Sequence, residues 1–184
     1  MSLLLRSLKV LVAAFFRSRL APLDESAVTF RVWPNDLDVN LHMNNGRYLT
    51  LMDLGRLDLI VRLGVLGALR RRKWGPVVGS LKIRYRRSLL PFQTYEIRTR
   101  LLCWDHRWFF VEQRFERRGE LIAIALVKGL FLGPEGRVPT QAVVDASGFR
   151  VQSPPAPDAV LAWQDAERVL REHEALPVEV EVAG

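Results

Sequence analysis

Four segments in the middle of the chain have the spacing of β-strands, and short turns separate them. They span residues 77–86, 95–101, 108–115 and 121–132. The first two alternate apolar and polar side chains, as strands with one buried face do, and the last is almost wholly apolar, as a strand buried on both faces would be. Because strands joined by short turns pair antiparallel, these segments predict an antiparallel sheet.

A strand and a long helix precede these four segments. Residues 27–33 alternate until Pro34, and apolar side chains then recur at helical spacing from Asn45 to about Leu63. This order predicts an α+β fold in which a long central helix is wrapped by a five-stranded, mostly antiparallel sheet. The helix covers one sheet face, so self-association as a homodimer or homotetramer is expected to cover the remaining apolar groups.

Length and composition set the domain organisation. The chain has 184 residues, of which 49% are hydrophobic, which suits one globular domain with extensions. We divide it into an N-terminal amphipathic helix (1–22), a central domain (23–135) and a C-terminal extension with short helices and a Pro-rich linker (136–184). Within that extension, LPVEVEVAG predicts a tail or an edge strand.

Cysteine content indicates the cellular compartment. Cys103 is the only cysteine, so no intrachain disulfide can form. This fits a reducing compartment, and we expect a cytoplasmic protein. The apolar sequence around Cys103 predicts a packing residue rather than a reactive thiol.

The N-terminal segment MSLLLRSLKVLVAAFFRSRLAP is apolar with basic interruptions. Its uninterrupted apolar run is far shorter than the ~20 residues of a membrane span, and it lacks the cleavage site of a signal peptide. A helical wheel places Arg6, Lys9 and Arg17 on one side and most leucines on others. Such a helix can lie at the inner face of the membrane through residues 3–20, or it can pack on its own domain or on a partner subunit.

The net charge of +7 comes mostly from arginine, which suits nucleic acid, anionic lipid or a phosphorylated small molecule. No zinc-finger spacing, RNA-recognition motif or helix-turn-helix pattern is present, so we expect no nucleic-acid partner. The three histidines are scattered, and no cysteine–histidine spacing suggests zinc. The sequence therefore predicts neither a metal nor a cofactor.

A dense polar stretch, DLDVNLHMNN at residues 36–45, connects the first strand to the long helix. The start of a helix carries unpaired N–H groups and partial positive charge, which can hold an oxygen that is gaining negative charge. A carboxylate nearby can attack a carbonyl or take a proton from water. Taken singly, each of these residues is an ordinary helix cap or turn residue, so a chemical function depends on their combination.

The stretch resembles the motif of hotdog-fold acyl-CoA thioesterases of the 4-hydroxybenzoyl-CoA thioesterase type. That motif is roughly D-x-D-x-x-G-H-x-N-N, followed by a long helix that begins with an aromatic residue and ends in a small residue plus arginine. This chain supplies Asp36, Asp38, His42, Asn44, Asn45, Tyr48 and Gly55-Arg56 in register. The resemblance covers about residues 27–133 and implies the hotdog fold. The motif of this chain is most similar to that of the subgroup that includes thioesterase superfamily member 6.

The resemblance also implies residue roles. Asp38 would be the catalytic carboxylate, acting as general base on water or as direct nucleophile, and Asn45 would offer its backbone N–H to the thioester oxygen. His42 and Asn44 would shape the pocket and orient Asp38 or water. Leu41 stands where the family has glycine, and it would be strained if the position has a positive φ.

Charged residues near the motif divide into two groups. Asp53 and Asp58 lie on the long helix, where some hotdog thioesterases place their carboxylate, but pairing of Asp53 with Arg56 is the expected role. The resemblance gives the basic residues a partner, because coenzyme A carries phosphates. Arg84, Arg86 and Arg87 would meet these phosphates, although each is also compatible with a solvated strand face.

These patterns predict a thioesterase that hydrolyses an acyl-CoA, or an acyl group on a carrier protein, to free acid and thiol. The alternative is a non-catalytic hotdog protein that binds acyl chains at the membrane surface. Leu41 and the basic N-terminal helix favour this alternative. Assays of thiol release from a panel of acyl-CoAs would separate the two functions.

Overall fold

The computed structural model describes residues 2–174. The chain divides into two compact units between Pro154 and Pro155. The division at residues 22 and 135 predicted from sequence remains a prediction. The last segment, LPVEVEVAG, for which a tail or edge strand was predicted, lies outside the described residues.

The first unit contains an antiparallel sheet of six strands among the described residues. The strands are β1 (Ser26–Arg31), β2 (Gly75–Tyr85), β3 (Thr94–Trp104), β4 (Phe109–Arg117), β5 (Glu120–Gly133) and β6 (Gly136–Val138). Five follow the order β1-β3-β4-β5-β2, and β6 pairs with the end of β5. The five predicted strands are therefore present, and β6 is too short to produce a periodic pattern in the sequence.

Five α-helices and a short 3₁₀ helix (Pro34–Asp36) complete the described part of the chain. The helices are α1 (Leu3–Phe16), α2 (Asn45–Arg62), α3 (Leu66–Arg72), α4 (Thr140–Asp145) and α5 (Asp158–Glu174), of which α5 lies in the second unit. The predicted long helix is α2. The basic cluster after it forms the last turn of α3, where positive charge meets the negative end of the helix.

The buried face of α2 packs against the inner face of the sheet. Tyr48, Leu51 and Met52 lie in one hydrophobic cluster with Ile97 and Phe115 of the strands. At Gly55 the helix lies close against the sheet. A Cβ atom there would lie only 2.7 Å from the Thr99 hydroxyl, so only glycine fits without a shift. This explains the small residue of the motif.

The N-terminal helix α1 packs on α2 through Arg6, Val10 and Ala14, which are buried. Arg6 therefore does not share an outward side with Lys9, as the helical wheel had suggested. Its guanidinium Nη2 lies 2.5 Å from Oδ2 of Asp36. Within residues 2–174, no helix combines the length and apolar character needed to cross a bilayer.

Candidate functional site

The predicted motif forms a compact loop in front of α2, and Asp36 is its buried anchor. Besides contacting Arg6, the Asp36 carboxylate accepts the Trp33 N–H at 2.9 Å, and its backbone carbonyl accepts the Asn44 N–H at 2.8 Å. Only 1% of Asp36 is exposed. The first aspartate of the motif therefore holds the loop in place.

Asp38 lies at the turn of the loop. Its Oδ1 accepts the N–H groups of Asn40 at 2.8 Å and of His42 at 3.2 Å, and its own N–H donates to the His42 carbonyl at 2.8 Å. These bonds fix the orientation of the carboxylate. Within residues 2–174, Oδ2 of Asp38 has no hydrogen-bond partner, so this oxygen is free to act on a ligand.

Leu41 adopts a left-handed backbone with φ of +59°. Glycine, which the related motif has at this position, takes that conformation freely, whereas a residue with a Cβ atom is strained there. The expected strain at Leu41 is therefore present. The loop forms its hydrogen bonds around Asp38 with leucine at this position.

The start of α2 leaves one backbone N–H without an acceptor among the described residues. Asn44 is the N-cap residue, and its side chain accepts the Gly46 N–H at 2.8 Å. The Arg47 N–H donates to the Asn44 carbonyl. For the Asn45 N–H no acceptor is found in the described part of the chain. Asn44 is thus committed to capping, and Asn45 carries the free donor.

A cleft of about 330 Å³ brings most of the predicted site residues together. Its wall is formed by Asp38, His42, Met43, Asn45, Tyr48, Tyr85, Arg86, Arg87 and Ser88. Asn44 and Arg84 are absent from this wall. Arg84 lies on β2 next to Tyr85, so its side chain points to the opposite face of the sheet. Arg86 follows the end of the strand, where this alternation no longer applies.

Two tyrosines of the cleft were not predicted as site residues. The Tyr85 hydroxyl donates to the Asn45 carbonyl at 3.1 Å, and the Tyr48 and Tyr85 rings meet edge to face at 5.1 Å. Burial raises the pKa of Tyr48 to about 12 and also raises that of Tyr85. Tyr85 is the last residue of β2, and this position at the strand end is the signal that could have identified it.

The carboxylates of α2 are engaged in ion pairs. Asp53 pairs with Arg56, as predicted, and Arg56 also donates to the Gln113 side chain at 2.6 Å. Asp58 is buried, and its carboxylate contacts Arg17 at 3.2 Å and accepts the Ser26 hydroxyl at 2.5 Å. These contacts explain why α2 carries two aspartates without invoking chemistry.

A second cavity of about 390 Å³ lies between the C-terminal half of α2 and the sheet. Its wall is almost wholly apolar and includes Leu57, Ile60, Val78, Phe109 and Val144, with Asp53 and Arg56 among its few polar residues. Asp53 follows Asn45 by eight residues, so the near end of this cavity is about 12 Å along the axis of α2 from the free N–H.

Fold and cleft together define a class of protein: a hotdog domain with a carboxylate beside the start of its central helix. The chain belongs to the thioesterase-like superfamily, which matches residues 32–164. It is 38% identical over 142 residues to protein THEM6 of Xenopus laevis, covering 77% of this chain and 68% of that protein. Over 117 residues it is 41% identical to protein THEM6 of Danio rerio, covering 63% of this chain and only 58% of that protein.

Solved structures support the same fold. The gentisyl-coenzyme A thioesterase BH1999 superimposes with a TM-score of 0.58 at 22% identity, covering 67% of this chain and all of that protein. The predicted α+β class and hotdog fold are therefore confirmed. Thioesterase membership is established at the level of the family.

Proposed function

We propose that this protein hydrolyses an acyl-CoA thioester in the cleft between the motif loop and the start of α2. The observation that carries the proposal is that Asp38 and Asn45 line the same cleft. Among residues 2–174, Asp38 contributes a carboxylate oxygen without a partner, and Asn45 contributes a backbone N–H without an acceptor. Thioester hydrolysis needs a base or nucleophile on one side of the carbonyl and a hydrogen-bond donor at its oxygen.

The general-base mechanism follows from these two atoms. Asp38 Oδ2 takes a proton from water while the water oxygen bonds to the thioester carbon. The negative charge that develops on the carbonyl oxygen is held by the Asn45 N–H at the positive end of α2. The carbon–sulfur bond then breaks, and the thiolate takes the proton that Asp38 had accepted, which gives free acid and thiol and restores the carboxylate. With Asp38 as nucleophile, the same site would form an acyl-aspartate anhydride that water then cleaves.

Other residues of the cleft would bind the coenzyme. Arg86 and Arg87 supply positive charge for its phosphates, and Arg87 would exchange its exposed ion pair with Glu120, 3.0 Å away, for a phosphate oxygen. His42 borders the reacting carbonyl. Arg84 faces away from the cleft and is left out of this proposal.

Self-association remains a prediction. β2 forms one edge of the sheet, and Val77 and Val78 are exposed on it. A second copy that paired along this edge would cover them and the adjacent opening of the apolar cavity. Sedimentation equilibrium of the purified protein measures whether dimers or tetramers form.

Asp38→Asn tests the proposal directly. Asparagine keeps an oxygen for the loop N–H groups but cannot act as a base, so thiol release from acyl-CoA should fall by about 10²-fold or more. Asp165→Asn, which changes an exposed carboxylate on α5 that lines neither cavity, is the matched control and should leave turnover unchanged. Equal turnover of the Asp38→Asn variant and the unaltered protein would exclude Asp38 as the catalyst.

A non-catalytic acyl-binding protein is the second candidate, and the apolar cavity favours it. Its wall suits a hydrocarbon chain, and it shares no wall residue with the cleft that contains Asp38. Under this function, acyl-CoA would bind without thiol release, and Ile60→Trp would abolish binding by filling the cavity. Measuring binding and thiol release on the same acyl-CoA panel separates the two functions.

A further inference from the structure

The outward face of α1 is apolar along its whole length. Seven side chains on this helix are exposed: Leu3, Leu4, Leu5, Leu8, Val12, Phe15 and Phe16. Leu4 is 81% exposed and Phe16 is 87% exposed. At 100° per residue, most of the seven fall on one arc of the helix. Soluble domains rarely present a contiguous apolar surface of this kind without a partner.

This exposed arc is not the side of α1 that packs on the domain. The side of α1 that packs on α2 is already buried and is fixed by Arg6, whose guanidinium pairs with Asp36. The side chain of Arg17, just beyond the helix, also reaches the carboxylate of Asp58 and the carbonyl of Ala27. The helix is thus held on the domain at both ends, and its apolar arc faces away from it.

Charge indicates what covers the arc. Residues 1–23 contain Arg6, Lys9, Arg17 and Arg19 and no aspartate or glutamate. Arg6 and Arg17 already pair with Asp36 and Asp58, and Arg19 donates to two backbone carbonyls of the domain, so Lys9 supplies the charge beside the arc. Lys9 is exposed at the border of the arc. Two copies of this face placed together would add a second Lys9 and no acid from residues 1–23, whereas a surface of anionic lipid complements this charge. A helix of 14 residues is also too short to span a bilayer but long enough to lie in its interface.

We propose that the outward apolar face of α1 docks in the interface of an anionic lipid bilayer while the helix stays on its domain. Phe15, Phe16 and the leucines enter the boundary between headgroups and acyl chains, and Lys9 contacts the headgroups. Docking does not depend on thioester hydrolysis, so it can be tested whether or not the catalytic proposal holds.

The test is binding of the full chain to vesicles of phosphatidylcholine with and without phosphatidylglycerol, measured by flotation. We expect binding to the anionic vesicles, with weaker binding to pure phosphatidylcholine and at high salt. The double variant Phe15→Ser/Phe16→Ser should reduce the partition coefficient at least tenfold, and Lys9→Glu should reduce it on anionic vesicles only.

The matched control is Leu161→Ser/Leu170→Ser, which removes two exposed apolar side chains from α5. It should leave the partition coefficient unchanged. The proposal is overturned if neither vesicle binds the unaltered protein, or if the two double variants lose binding equally. It is also overturned if Phe15→Ser/Phe16→Ser converts a dimer to a monomer without changing flotation, because the face would then be covered by a second copy. Circular dichroism checks that each variant is folded.

Discussion

Replacing Arg6 with methionine removes one half of an ion pair whose two members are both buried. Arg6 is 3% exposed and Asp36 is 1% exposed, with 2.5 Å between Nη2 and Oδ2. In the variant, the Asp36 carboxylate keeps the Trp33 N–H at 2.9 Å and a longer contact of 3.6 Å with Arg47. These contacts compensate for only part of the lost charge, so most of the cost of burying a carboxylate without its partner remains.

Breaking a buried pair from one side costs about 3–5 kcal/mol, and the residual contacts of Asp36 place this case near 3 kcal/mol. For a chain of this length that corresponds to a fall in Tm of about 6–12 °C. Urea and thermal unfolding, followed by tryptophan fluorescence, measure both quantities. Arg6→Met/Asp36→Asn should recover part of the loss, because an amide is less costly to bury than an unpaired carboxylate.

Lys9→Met is the control for this variant, because it removes the same charge from an exposed position on the same helix. It should change the free energy of unfolding by less than about 0.5 kcal/mol. If Arg6→Met and Lys9→Met have the same small effect, the pair with Asp36 does not hold α1 on the domain. The ion pair would then no longer explain how α1 stays on its domain while it docks on lipid.

Three further substitutions test the backbone and the cleft. Leu41→Gly should stabilise the fold by about 0.5 kcal/mol, since relief of the left-handed strain of ~1 kcal/mol exceeds the added freedom of the unfolded chain; a loss of stability would contradict the strain. Gly55→Ala should destabilise the fold by about 1–2 kcal/mol because its Cβ meets the sheet. Gly67→Ala in α3 is the control and should leave the stability unchanged or raise it. Equal effects of the two substitutions would show that the close approach at Gly55 is unimportant. Burial raises the pKa of Tyr48 from 10.0 to about 12, so its contribution of about 2–3 kcal/mol is complete below pH 10 and is lost as pH rises to 12. Urea unfolding between pH 10 and 12 should show that the free energy of unfolding falls less for Tyr48→Phe than for the unaltered protein. Equal falls in the two proteins would contradict a raised pKa of Tyr48.

Periodicity was sufficient to predict the sheet and the central helix. The predicted helix from Asn45 to about Leu63 is α2, which ends at Arg62, and the apolar segment 121–132 lies within β5. These elements are long, and their apolar side chains either recur with a regular period or form a continuous run, so both can be identified directly from the sequence. The helix α3 and the strand β6 were missed because seven and three residues are too few to establish a period.

The site was predicted less completely, because parts of it depend on contacts between residues that are distant in sequence. Asp38, His42 and Asn45 are close in sequence, and the cleft contains all three. The burial of Arg6 depends on Asp36, thirty residues away, and a helical wheel cannot show which side of a mostly apolar helix meets the domain. Arg84 was included on charge alone, although its alternation with Tyr85 already placed it on the other sheet face.

Asp36 joins two parts of the chain that are distant in sequence. Its carboxylate receives Arg6 of α1, while its carbonyl receives the N–H of Asn44, the residue that caps α2. A protein shortened to begin at residue 23 would keep every residue of the cleft and lose the cation beneath its loop. Activity measured on such a truncated protein would therefore describe a loop without its buried ion pair, even though every residue of the cleft is present.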